Sequence, residues 1–353
     1  MAIRRVFSFE STATFSELAG VTTSGYNAPA IVTTAPRSGS QSARVSRIQA
    51  SQPSRIFIST ITAYAVGDAV GVAFGYRPGW AFSTNTYVNA NSMVAGFFEG
   101  ATMHASVGLD STGHVWLRLP SGSYSTGASV SPAAQDTYAH WEVKFVCHDS
   151  TGSCIVKING VEYLNVSGLD TRNGASGTVD TVVFGCENND NVGGDSYIDD
   201  VVIWDTSGSD VVDFIGDCKV VYCKPSGAGT YAEWTPNTGA NYAAVDDVGT
   251  IDDDTTYNGS STVDQRDSFA MDNVAAGSII AVQTVLRARK DDAGGRHLKP
   301  LIRMGGADYL GADINISDGY ATFTEVFHNR PSDSADWTDS DVNGLELGYK
   351  LIS

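Results

Sequence analysis

Short runs in which apolar and polar residues alternate recur along the whole chain, set between clusters of Gly, Ser, Asn and Asp. HWEVKFV (140–146) places Trp141, Val143 and Phe145 on one face of a strand and Glu142 and Lys144 on the other, since successive side chains of a strand point to opposite faces. HVWLRL (114–119) does the same with Val115, Leu117 and Leu119. CIVKINGVEYLNV (154–166) predicts a hairpin, with Asn159-Gly160 supplying the two left-handed residues of a type I′ turn. Helical periodicity is nearly absent; TFSELAG (14–20) and NYAAVDDVG (241–249) predict one short turn each. The pattern predicts an all-β protein of two tandem β-sandwich, jelly-roll-like domains. The polar turn DTSGSD (205–210) separates two strand-rich halves, which places the domains at residues 1–207 and 208–353.

Charge narrows the partners. A formal net charge of −18 over 353 residues argues against nucleic acid or an anionic membrane, because phosphate binding needs clustered Lys and Arg. Both halves are acidic, at −6 and −12. The exception lies within residues 1–60, where six arginines stand against Glu10 and Glu17. Arg4, Arg5, Arg44 and Arg47 of that group are candidates for docking on an acidic neighbour; scattered solvated arginines on strands are the alternative. Five cysteines, an odd number without CxxC or Cys/His spacing, suggest reduced thiols. The start MAIRRVFSFE lacks the apolar stretch of a signal peptide and no window is long enough to span a membrane, so the expectation is a soluble chain made in a cytosol.

The most chemical-looking stretch is YIDDVVIWDTSG (197–208), with Asp199 beside Asp200. Regular alternation sends Tyr197, Asp199, Val201 and Ile203 to one face and Ile198, Asp200, Val202 and Trp204 to the other, so the two carboxylates are expected to diverge. A glycoside-cleaving pair needs its oxygens about 5–10 Å apart across one substrate. No acid occupies the following same-face positions, and the pair is read as strand punctuation that accepts hydrogen bonds from a loop. Upstream, ENNDNVGGDS (187–196) gathers Asp190, Asn191 and Asp195 among glycines, an oxygen-rich loop that makes a structural Ca²⁺ site a candidate, without EF-hand spacing. Asx/Gly turns without metal are the alternative. No cofactor is expected otherwise.

Other constellations fail. There is no GxSxG elbow, no HExxH and no Walker loop. GAGTYA (227–232) precedes EWTPN, which cannot open a helix, and is read as a turn. Arg296, His297, Lys299 and Arg303 in GGRHLKPLIR (294–303) invite an anion-site reading, but a solvated hairpin beside Asp291 and Asp292 is the simpler account. The expectation is therefore a chain without catalytic residues. A binding module is easier to sustain: GYRPGWAFSTNTYVNANS (75–92) offers Arg77, Trp80, Tyr87 and Asn89 in a long polar loop, a composition suited to sugar faces. The alternative has Trp80 and Phe82 plugging a sandwich edge or a subunit interface.

YAHWEVKFVCHDSTGSCIVKINGVEYLNVSG (138–168), closed by GGDSYIDDVVIWDTSG (193–208), resembles a concanavalin A-like lectin/glucanase sandwich of the laminin-G type. DFIGDCKVVYCKPSGAGTYAEWTPNTGANYAAVDD (213–247), followed by DDDTTYN, DSFAMDN and the ending WTDSDVNGLELGYKLIS, resembles a module of virion structural proteins of tailed bacteriophages. The resemblance implies a concanavalin A-like first domain and a non-enzymatic component of a phage particle, either capsid decoration or a tail or baseplate appendage. It implies assembly in the bacterial host cytoplasm, homo-oligomerisation, contacts with other virion proteins and adhesion to host surface glycans. It carries over no catalytic residues. A lectin-like glycan-binding protein and a polysaccharide depolymerase are the alternative readings.

Overall fold

The computed structural model describes residues 2–25, 27–47, 53–79, 93–109, 114–122, 124–129, 135–174, 176–186, 194–206, 213–275 and 277–353. Contacts divide the chain into two units. The first comprises Met1–Glu10, Thr14–Ser16 and Gly20–Val220, and the second Ser11–Ala13, Glu17–Ala19 and Val221–Ser353.

The first unit is built from β1 (Ala2–Phe7), β2 (Val21–Gly25), β3 (Ala30–Val32), β4 (Ser42–Arg47), β5 (Ser54–Tyr64), β6 (Ala69–Pro78), β7 (Met93–Glu99) and β8 (Thr102–Leu109). It continues through β9 (His114–Arg118), β10 (Tyr124–Ser129), β11 (Ala139–Val146), β12 (Gly152–Ile158), β13 (Val161–Leu169), β14 (Val179–Cys186) and β15 (Gly194–Asp205). One antiparallel sheet runs β13-β12-β11-β6-β15-β4-β3, with β1 also paired to β15; the other runs β10-β9-β8-β7-β14-β5-β2. The two sheets face each other. Phe97 of β7 stacks on Phe145 of β11 with centroids 4.4 Å apart, and Phe184 of β14 meets Phe74 of β6 edge-on at 4.8 Å. Trp141, Val143 and Phe145 are fully buried, as their alternation predicts. Asn159 (φ 50°) and Gly160 (φ 78°) form the expected turn between β12 and β13.

The second unit is built from β16 (Pro225–Ala232), β17 (Thr235–Pro236), β18 (Asn258–Gly259), β19 (Arg266–Met271), β20 (Val282–Ala288), β21 (Arg296–Met304), β22 (Ala307–Leu310), β23 (Ile314–Ile316), β24 (Ala321–Phe327) and β25 (Glu346–Leu351). Its main sheet runs β16-β19-β25-β21-β22, with β23 on β21. The β20–β24 ribbon packs against that sheet: Val282 and Phe327 lie on the cluster of Ile302, Trp337 and Leu345, and Leu286 and Ala288 on Leu298, Ile316 and Leu351. GAGTYA lies in strand β16, not in a turn. Gly229 permits this, because a Cβ there would come within 2.4 Å of the Ser268 carbonyl oxygen on the paired strand. Among the described residues helix is confined to short pieces: 3-10 turns at Phe15–Glu17 and Asn241–Ala244, where the sequence places them, and α1 (Asp339–Gly344). A capping box of Thr338 and Asp341 starts α1, satisfying two of its otherwise orphaned N–H groups.

Along β6 the side chains of Val72, Phe74 and Tyr76 enter the core, so Gly71, Ala73, Gly75 and Arg77 line the outer face of the eight-stranded sheet. Gly71 is needed there. Trp204, its partner on β15, covers it so closely that a Cβ would meet the indole at 2.0 Å. Gly71→Ala is expected to destabilise the first unit by about 1–3 kcal/mol through overpacking, read from its urea unfolding midpoint; an unchanged midpoint would contradict this packing.

Candidate functional site

The two aspartates do not diverge. β15 pairs with β6 as Ile198↔Tyr76 and Asp199↔Gly75, but the next partners are Val202↔Ala73, so β15 carries one extra residue. That residue is Asp200, held at φ +52°, a left-handed conformation that Asp tolerates better than most side chains. Ile198, Val201 and Ile203 all keep their places in the core, while Asp199 and Asp200 emerge together on the outer face. The expectation of opposite faces fails because a bulge breaks the alternation on which it rests.

Both carboxylates close on residues 37 and 38, in the segment between β3 and β4. Asp199 Oδ2 accepts the backbone N–H of Arg37 (2.8 Å) and Ser38 (3.3 Å), and its Oδ1 accepts that of Asp200 (2.8 Å). Asp200 Oδ2 receives Arg37 Nη1 at 2.6 Å, and its Oδ1 accepts Ser38 Oγ (2.5 Å) and Val220 N (2.8 Å). Gly75 makes room for the arginine, since a Cβ there would lie 2.3 Å from Arg37 Cδ. The pair is hydrogen-bond punctuation, as the sequence suggests, but it anchors a buried ionic cluster and not merely a loop.

Residues 213–220 lie across this cluster as a strap. Lys144 Nζ binds Asp213 at 2.7 Å, Phe214 meets Trp204 edge-on with Lys157 Nζ 3.9 Å from its ring centroid, and Gly216 N donates to Glu142 at 2.9 Å. Arg37 Nη2 binds Asp217, and Arg37 Nη1 donates to the Cys218 carbonyl at 2.7 Å. His140 lies beneath the strap, opposite Gly75 on β11, with Gly216 and Asp217 facing its ring. Burial, together with the charge of Asp200, pushes the Asp199 carboxyl up to about 7 against the pull of its three backbone donors. Burial likewise raises Glu142 and lowers His140, whose neutral form is favoured despite Asp217. Burial alone would lower Arg37, but Asp200 and Asp217 outweigh it and raise it.

Further along the same face, Arg44, Tyr197 and Arg77 stand side by side on β4, β15 and β6. The Arg77 guanidinium lies 5.1 Å from the Tyr197 ring centroid and binds Asp136 at 3.1 Å; Arg44 lies 3.8 Å from Asp195. Of the sugar-binding candidates, Arg77 is thus placed on a strand, while Trp80, Tyr87 and Asn89 lie outside the described residues. Of the calcium candidates, Asp190 and Asn191 lie outside them too, and Asp195 sits inside β15. Among the described residues no three His, Cys, Asp or Glu side chains are grouped to hold a metal ion. Of the docking arginines, Arg4 binds Asp205 at 2.7 Å, Arg5 is buried, and Arg47 lies on β4 opposite Gly194. In the second unit, Arg296 and Arg303 bind Asp292 and Asp308 at 2.5 Å each, and His297 binds Asp313. Arg37, Ser38, His140 and Asp217 are the members that sequence reasoning missed. The signal that could have found the bulge is Ile198 and Val201, two core residues three positions apart in a strand.

No protein-family model matches the chain, and no curated protein sequence matches it. Solved structures similar to it include a cellulose-induced protein, at 16% identity and a TM-score of 0.37, covering 52% of this chain and 86% of that one. An endo-β-1,4-glucuronan lyase from the fungus Trichoderma reesei is similar at 12% identity and a TM-score of 0.36, over 53% of this chain and 88% of that one. An alginate lyase in complex with an alginate trisaccharide is similar at 13% and 0.38, over 56% and 96%. Two of these three are lyases, against the expectation of a non-enzymatic chain, and a likeness at this level assigns no activity to this one. One premise of that expectation also fails, since Asp199 and Asp200 do not face opposite sides.

The Asp199 carboxyl gives a pH signature. Its folded pKa of about 7 lies above the unfolded value of about 3.9, so the stability it contributes is fully present below about pH 4 and is lost as pH rises through 7. Carbon-13 NMR titration is expected to place the Asp199 carboxyl midpoint near 7; a midpoint below 4 would contradict the burial and charge described here.

Proposed function

We propose that the first unit binds carbohydrate on the outer face of its eight-stranded sheet. The observation that carries this reading is the cross-strand row Arg44–Tyr197–Arg77, an aromatic ring flanked by two guanidiniums, with Asp195 and Asp136 at its ends. The Tyr197 ring is half-buried and held by the Arg77 guanidinium over it, and the part left exposed is available to the C–H groups of a sugar. The surrounding carboxylates accept hydrogen bonds from ring hydroxyls and the guanidiniums donate to ring and carboxylate oxygens. The row rests on paired strands, so the groups are preorganised and little side-chain freedom remains to be lost on binding.

A glycan array followed by titration calorimetry tests this. Tyr197→Ala is expected to lower the affinity for any bound glycan about ten-fold, the loss of roughly one aromatic contact, while leaving the unfolding midpoint near that of the parent chain. Binding that survives the substitution unchanged would place the glycan elsewhere.

A further inference from the structure

The strap closes over Arg37 with an exposed side chain. The Arg37 side chain is 9% exposed and its partner Asp200 fully buried, yet the second carboxylate on the guanidinium, Asp217, is 63% exposed. Beside it, the His140 side chain is 1% exposed, with the Gly216 backbone facing its ring and its Nδ1 3.5 Å from the Asp217 carboxylate. One edge of a fixed guanidinium next to a buried imidazole nitrogen is a receptor for a carboxylate. Asp217 fills it from solvent, and an ion pair with so exposed a partner is held weakly.

The surroundings are built to keep this receptor in place. Glycine at position 75 lets Arg37 lie against the sheet, and Asp200 fixes its other edge. The subsite also continues the row at Tyr197. Tyr197 and Asp199 stand on one face two residues apart along β15, about 7 Å, so a ring over Tyr197 would direct its neighbour toward Arg37. If the strap lifts, Glu142 and Asp200 lose the Gly216 and Val220 N–H groups and become acceptors for hydroxyl donors.

We propose that Arg37 and His140 form a carboxylate-binding subsite, occupied in this state by Asp217 of the chain's own strap, and that the carboxylate of an acidic sugar displaces Asp217 there. The sugar half of the proposal rests on the carbohydrate reading of the Tyr197 row; the carboxylate half rests on the Arg37–His140 geometry. Displacement exchanges one carboxylate for another on the same guanidinium, so the buried charge balance is conserved.

The test is calorimetric titration of the full chain with an oligogalacturonate and with the same oligomer as its methyl ester, read beside the His140 imidazole resonances. The acid is expected to bind about ten-fold more tightly than the ester and to shift the His140 signals, the ester leaving them in place. Asp217→Asn, at an exposed position, is expected to tighten oligogalacturonate binding several-fold by weakening the internal competitor, without changing the ester. Equal affinities with unmoved His140 signals would overturn the carboxylate subsite and leave the carbohydrate reading standing. Binding of neither oligomer would overturn the acidic-sugar subsite, while the glycan array decides the carbohydrate reading separately. A synthetic peptide of residues 213–220 that binds Asp217→Asn where oligogalacturonate does not would also overturn the proposal, making the site a peptide latch.

Discussion

The first unit is organised around a guanidinium that has been taken out of water. Arg37 meets the fully buried Asp200 at 2.6 Å, and such a pair holds only when the remaining lone pairs and N–H groups are also satisfied. Here they are. Asp200 takes a hydroxyl and a backbone amide besides the guanidinium, and Asp199 takes three backbone amides. Every donor in this set comes from the 37–38 segment, the bulge itself or the strap. The pair thus ties three stretches distant in sequence to one point on the sheet.

The bulge is what makes the arrangement available. A regular β15 could present only one of two adjacent aspartates to the outer face; the left-handed Asp200 presents both without removing Ile198, Val201 or Ile203 from the core. The outer face then has two characters. At one end Arg44, Tyr197 and Arg77 form a partly open row, and at the other Asp199, Asp200, His140 and Glu142 lie beneath residues 213–220. The first is the end proposed to bind carbohydrate, and the second would give it a charged neighbour covered by residues 213–220.

Much of the architecture was legible from alternation. Trp141, Val143 and Phe145, the Asn159-Gly160 hairpin and the scarcity of helix follow from period-2 patterning and turn chemistry, which are local. Arg77 stood out for its residue type, but the sequence put it in a loop, whereas it lies on strand β6. Asp199 and Asp200 were visible as a motif, but their geometry was not, because a single inserted residue reverses every facing beyond it. Arg37, His140 and Asp217 were not legible at all. They reach the site from three separate segments, and no local spacing encodes that meeting. GAGTYA was misread because ruling out a helix after it does not make it a turn; Gly229 serves close strand contact.

A double-mutant cycle between Arg37→Met and Asp200→Ala, read from the first unit's unfolding in urea, tests the central claim most directly. If the buried pair organises the outer face, each single substitution strands a buried charge and costs about 3–5 kcal/mol, and the double variant recovers about 2 kcal/mol or more of their sum. Additive losses would contradict the account, showing that the two residues do not depend on each other.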